Sequence, residues 1–140
     1  MKKFSVLISV YFREQPGCLR EALQSVFNQT VVPSEVVLIK DGPLTTELDE
    51  VVEDFARQYD TLKVVTLERN MGLGNALNVG MKECTYDLIA RMDSDDLSLP
   101  DRFEKQLKAF EDHPEVSVVG GWISEFSEDP DQIISYRRVP

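Results

Sequence analysis

The densest chemistry in the sequence lies in Asp93-Ser94-Asp95-Asp96, which closes the apolar run Tyr86–Met92. Alternate residues of an extended backbone share a face, so Asp93 and Asp95 are expected to converge while Ser94 points away. Paired carboxylates suit a hard divalent cation. Mg2+ or Mn2+ takes oxygen ligands, commonly one or two protein carboxylates, and completes its shell with water and substrate phosphates. The same residues also suit an Asp/Ser turn that caps the next helix. Three acids at one strand end repel one another, however, a cost that a plain turn has no need to bear and that a cation removes.

Two further stretches could handle a ligand. Asn70-Met71-Gly72-Leu73-Gly74-Asn75-Ala76 begins like a dinucleotide fingerprint, but Leu77 stands where the third small residue belongs and the loop follows a third strand rather than a first. It suits either a helix N-terminus whose free N–H groups face an anion or a simple tight turn. In Asp41-Gly42-Pro43, the carboxylate could accept hydrogen bonds from a ribose hydroxyl or a nucleobase N–H, although the tripeptide is also ordinary turn chemistry.

These residues need elements to bring them together. Phe4–Phe12, Glu35–Ile39, Leu62–Leu67, Tyr86–Met92 and Val116–Ile123 are short runs rich in Val, Ile and Leu, the pattern of strands covered on both faces. Between them, Leu19, Ala22, Leu23, Val26 and Phe27 have helical spacing, as do Leu48, Val51, Val52, Phe55 and Tyr59. A third helix is expected over Leu73–Cys84, where Gly74 and Gly80 permit close approach to a strand or ligand. A fourth presents Phe103, Leu107 and Phe110, with Ser98 as its cap, Pro100 in its first turn and Pro114 at its end. The order βαβαβαβαβ implies an α/β fold, an open and mainly parallel sheet with helices on both faces.

Ligands bind such sheets beyond the carboxyl ends of the strands. That rim collects Ser9, Tyr11 and Arg13, then Lys40 and Asp41, then Glu68, Arg69 and Asn70, then Arg91 and the aspartates. It is the candidate site.

The 140 residues amount to one domain by the usual prior of about 100–200 residues, enough to hold a core without disulfides or structural metal. With 25 Asp and Glu against 15 Lys and Arg, the net charge of -10 argues against nucleic acid and against anionic membrane surfaces. Cys18 and Cys84 read as small buried hydrophobes of a reducing compartment. Lys2 and Lys3 before an apolar run imitate a leader, but no small-residue cleavage site follows, and no run approaches the ~20 apolar residues of a membrane span. A cytoplasmic location is expected. His113 reads as a surface residue at a helix end, Trp122 as a buried aromatic or a sugar-stacking platform, and Glu125–Asp131 as a solvated acidic loop. Exposed Phe126, Ile133 and Ile134 would favour a homodimer.

Several of these residues, taken in order, resemble the family 2 glycosyltransferases. The resemblance is carried by Ser5–Glu14, Leu19–Thr30, Asp41-Gly42, Asn70-x-Gly72-x-x-x-Ala76-x-Asn78-x-Gly80 and Ala90–Asp96 followed by Leu99-Pro100-Asp101-Arg102, and it spans nearly the whole chain. It implies a Rossmann-like GT-A fold and inverting transfer of a sugar from a nucleotide-sugar donor, UDP-linked by expectation, to an acceptor hydroxyl in polysaccharide or glycoconjugate synthesis. By position, Ser9 and Tyr11 match contacts to the donor base, and Asp41 matches the acid that hydrogen-bonds it. Asp93 matches the first acid of the D-x-D element, near ribose, sugar and metal, and Asp95 the acid that reaches the Mn2+ or Mg2+. Arg91 lies beside the nucleotide. The implied partners are the donor and a saccharide or lipid-linked acceptor, which would place the protein at the inner face of the membrane.

The sequence also departs from the family's pattern. Lys40 replaces the first acid of its usual Asp-Asp-Gly, and Phe12 replaces an Asn. The family's acceptor site and acidic general base lie well downstream of the D-x-D element, so residues 1–140 are expected to be a single donor-binding domain with the base elsewhere. Without that base the chain would be a silent nucleotide-sugar-binding module. A nucleotidyltransferase on a similar sheet is a further alternative, but it would need a Gly-rich, Lys-containing loop after the first strand, and Tyr11–Gln15 offers none.

Overall fold

A computed structural model describes residues 3–113 together with the backbone of 123–126 and 133–137. The chain divides into two compact units, residues 1–104 and 105–140. The first holds strands β1 (Ser5–Val10), β2 (Glu35–Lys40), β3 (Leu62–Thr66) and β4 (Ile89–Asp93). These form one parallel sheet in the order β3-β2-β1-β4.

Helices α1 (Pro16–Phe27), α2 (Thr46–Gln58) and α3 (Leu73–Glu83) link consecutive strands. From β1 to β3 the chain steps outward in one direction, and from β3 it returns past β2 and β1 to β4. With right-handed crossovers, that reversal puts α1 and α2 on one face and α3 on the other. The packing agrees. On the α3 face, Leu7, Val37 and Ile39 form a buried cluster with Ala76, and a Cβ on Gly80 would collide with Leu7 Cδ1. On the opposite face, Val6, Ile8, Val36 and Leu38 are fully buried, as are Leu19, Ala22, Leu23 and Val26 of α1. Each large aliphatic among them contributes about 1.5–3 kcal/mol relative to exposure. This double covering is why β1 and β2 read as unbroken apolar runs.

Local signals set the helix ends. Pro16 starts α1, where its missing N–H costs no helical bond. Thr45 caps α2 by accepting from Leu48 N at 3.2 Å, with Glu47 and Asp49 in the first turn and Arg57 in the last, all favourable to the helix dipole. Both cysteines are half-buried rather than buried.

Helix α4 spans Arg102–Asp112, so it starts too late for Ser98 to cap it. The Ser98 hydroxyl instead donates to Met92 Sδ and accepts from Arg102 Nη1. The first-unit end of α4 packs its Phe103 ring edge-on against Phe4, 5.1 Å between centroids.

In the second unit, β5 (Ile123–Phe126) pairs antiparallel with β6 (Ile133–Arg137). β5 begins at Ile123, the last residue of the expected fifth strand, and runs into the first two residues of the stretch read as a solvated acidic loop, Glu125 and Phe126. β6 follows that loop, where no strand is expected. Ile123-Ser124-Glu125-Phe126 and Ile133-Ile134-Ser135-Tyr136-Arg137 carry the β-branched and aromatic residues that favour extended pairing. Of the expected fifth strand, residues 116–122, Trp122 included, lie outside the described residues, as do the side chains of Phe126, Ile133 and Ile134.

Candidate functional site

The strand order reverses between β1 and β4, which leaves a crevice beyond their carboxyl ends. Ser9 and Asp93 are register partners across that junction. A cavity of about 400 Å³ opens there, lined by Ser9, Tyr11, Glu14, Asp41, Asn70, Gly72, Leu73, Asp93, Ser94 and Asp95. Of the six residues that the sequence nominates for donor or metal, five line it. Arg91 lies on the same face of β4 as Asp93, is exposed, and does not line it.

Asp41 is only 3% exposed. Its Oδ1 accepts from Met71 N at 2.7 Å, and its own N–H donates to Val10 O at 2.8 Å, so it ties β2 to β1 and to the loop before α3. Gly42 follows at φ 88°, and a Cβ there would sit 2.5 Å from Asn70 N. Only glycine satisfies both the left-handed backbone and this approach. Lys40, in the place of the family's acid, turns away from the cavity. Its Nζ meets Asp49 Oδ1 of α2 at 2.9 Å.

The α3 end of the cavity begins at Gly72, also at positive φ, with no side chain capping the helix. The Asn70 side chain accepts from Gly72 N, and the Asn75 side chain donates to Met71 O. The amides of the first turn are therefore left to solvent or to a ligand, next to Gly72 and Leu73 in the wall. On the far wall Tyr11 is exposed, its ring 5.8 Å from Phe12 and edge-on to it.

Asp93, Asp95 and Asp96 are exposed, and one carboxylate oxygen from each lies within 4.8 Å of the others. Asp96 N donates to Asp93 O, so the acids stand on a turn. The turn and the acidic cluster are one object. Partial desolvation of its carboxylate, although the residue is exposed, then the charges of Asp93 and Asp95, push the Asp96 carboxyl above its ordinary value, against the opposing pull of Arg102. Glu14, between β1 and α1, is pushed up too, by burial first and then by Asp95, partly offset by a hydrogen bond with Ser94. Its Oε1 is buried without a partner. An oxygen-only, exposed and mutually repelling donor set fits a hard divalent cation.

Asp96 and Glu14 enter the site beyond the nominated residues. Glu14 follows the first strand and so falls on the rim, a position that would have nominated it. Its side chain reaches the acids of β4 only because β4 lies beside β1.

Residues 5–138 match the model of the family described as glycosyl transferase family 2. The chain is 43% identical, over 99% of its length and 50% of the relative's, to the UDP-Gal:alpha-D-GlcNAc-diphosphoundecaprenol beta-1,3-galactosyltransferase of Escherichia coli. It is 47% identical, over 89% of its length and 47% of the relative's, to the amylovoran biosynthesis glycosyltransferase AmsE of Erwinia amylovora. It thus spans about half the length of these relatives. Among solved structures, S. aureus TarS 1-349 in complex with UDP-GlcNAc superposes with a TM-score of 0.70 at 29% identity, covering 81% of this chain and 32% of that one. The sheet and its helices are those of a GT-A glycosyltransferase.

Proposed function

Because the chain belongs to glycosyl transferase family 2, we propose that it forms the donor-binding part of an inverting glycosyltransferase that uses a UDP-linked sugar to build a polysaccharide or lipid-linked glycan. The observation that carries the reading is the meeting of Asp41, Tyr11 and the aspartate turn at one cavity. Relatives named for a UDP-galactose donor, a diphosphoundecaprenol-linked acceptor and amylovoran synthesis support the sugar-nucleotide and process assignments.

In this reading Asp41 accepts from the base N–H, held at a fixed angle by its bond to Met71 N. Tyr11 offers its ring to the base face and Ser9 its hydroxyl to the nucleoside. Asp93 faces ribose and sugar, and Asp93 with Asp95 would hold Mn2+ or Mg2+, joined by Asp96. A bound cation would separate the diphosphate from the carboxylates and stabilise the departing nucleoside diphosphate. Arg91, outside the wall, adds long-range attraction for the diphosphate. Activation of the acceptor hydroxyl is assigned to none of the described residues. A diphosphoundecaprenol-type acceptor would bring the protein to the inner face of the membrane, and none of the helices among the described residues is long and apolar enough to cross it.

Calorimetry with UDP, GDP and TDP, each with and without Mn2+, tests the assignment. UDP is expected to bind best and to need Mn2+, and Asp95→Ala should weaken that binding about a hundredfold, the cost of an unmet charge-assisted contact. Failure of every nucleotide to bind, or binding indifferent to both Mn2+ and Asp95, overturns it.

A further inference from the structure

The aspartate turn is held on one side by β4 in the sheet. On the other side it leads into Leu97–Asp101, which has no regular hydrogen-bonding pattern of its own. That segment is fastened from α1. Gln29, two residues past the end of α1 and only 5% exposed, donates from Nε2 to Leu99 O at 2.6 Å and to Ser25 O at 3.0 Å, with Ser98 O at 3.4 Å. Its Oε1 accepts from Phe103 N at 3.1 Å. The second residue of α4 is thus capped by a side chain from the segment just after α1, the task Ser98 stands too early in the chain to perform. One amide group spends both its donors and its acceptor across this junction.

Neighbouring bonds continue the clamp. Ser25 Oγ accepts from Ser98 N at 3.1 Å, and Thr30 N donates to Pro100 O at 2.7 Å. Arg102, fixed by this arrangement, reaches back with Nη1 to Ser98 Oγ at 2.9 Å and Nη2 to Arg91 O at 3.0 Å, and its charge faces Asp96. A continuous set of bonds therefore runs from Gln29 to the end of β4 that bears Asp93.

We infer that Gln29 is a positioning residue for the donor site: through Leu99, Phe103 and Arg102 it holds the Asp93–Asp96 turn in the geometry that gathers its carboxylates. The inference rests on the donor-site reading above for its consequence and on the hydrogen bonds alone for its structural part. Carboxylates that repel one another spread apart unless the chain on both sides is fixed. On the β4 side the sheet does this, and on the α4 side Gln29 does.

The test compares Gln29→Met, which keeps length and apolar bulk but removes donors and acceptor, with Val26→Ala, which loosens the buried face of α1 without touching the junction. Hydrogen exchange is followed along the chain, and Mn2+ and UDP are titrated. Gln29→Met should speed exchange at residues 93–103 selectively, and should raise the UDP dissociation constant in Mn2+ about tenfold. Val26→Ala should spread its effect over α1 and the sheet and leave that constant within about twofold. Gln29→Asn keeps an amide but is too short to reach both Leu99 O and Phe103 N, so it should fall between, which provides a reading if the methionine variant does not fold. Exchange in Gln29→Met that follows the Val26→Ala pattern, or an unchanged dissociation constant, overturns the inference. If the wild type binds no UDP, the donor reading falls, while exchange at 93–103 and the Mn2+ titration still decide the role of Gln29.

Discussion

The two rims of the sheet treat the same functional group in opposite ways. At the amino rim, Glu35 opens β2, and its Oε1 accepts from Ser5 Oγ at 2.9 Å and Thr85 N at 2.8 Å, while Oε2 accepts from Thr85 Oγ1 at 2.8 Å. Burial alone would raise its carboxyl, but the bonds from Thr85 and Ser5 and the charge of Lys63 outweigh it and hold the group below its ordinary value. At the carboxyl rim, Glu14 and Asp96 are pushed the other way by burial and by one another's neighbours. A satisfied carboxylate ties strands together. A crowd of unsatisfied ones is stabilised fully only by something that arrives from outside.

Asp41 belongs to both classes, and its removal should have the largest effect. Asp41→Ala is expected to cost about 1.5–3 kcal/mol of stability through the lost charge-assisted bond from Met71 N to the buried Asp41 carboxylate, and to weaken UDP binding at the same time. Thermal melting and nucleotide titration of the same preparation check it, and a loss in only one would place Asp41 on one side of the comparison. Glu35→Ala comes next. Stability should fall by a similar or smaller amount because Ser5 and Thr85 lose their acceptor, but UDP affinity should not move. A change in affinity would mean that the rims are coupled.

A pH series probes the amino rim more gently. A carboxyl with a folded value below its unfolded one stabilises the fold above the ordinary Glu range of about 4.3, and that contribution disappears as pH falls through the lowered folded value. The melting temperature of the wild type should therefore drop toward that of Glu35→Gln on acidification, and two curves that stay parallel would remove Glu35 from the account. The smallest effect is expected for Asp96→Asn without metal, a slight rise in melting temperature from relieved repulsion. A fall instead would mean that the ion-pairing pull of Arg102 outweighs the crowding.

Sequence pattern reached the sheet because burial on both faces forces continuous apolar runs, and it reached the rim because chain order in a parallel sheet fixes which ends gather polar residues. Asp41, Asp93 and Asp95 were legible on those grounds. Gln29 was not, since its role depends on an amide meeting carbonyls some seventy residues away, a match that leaves no periodicity. The cap of α4 went unread for the same reason: local rules nominated Ser98, and a distant side chain took the position. The β5–β6 pair was hidden by its acidic connection, where charge suggested solvent more strongly than the flanking Ile and Tyr suggested strands.

The Lys40–Asp49 pair bears on how the sequence can change. Restoring the acid that the family usually carries at position 40 would set two carboxylates side by side on β2 and α2, next to the buried Asp41. Residues 40 and 49 thus form an exchangeable unit. An acid introduced at 40 is better tolerated once 49 has become neutral or basic, and a substitution scan that tests each position alone misses this coupling.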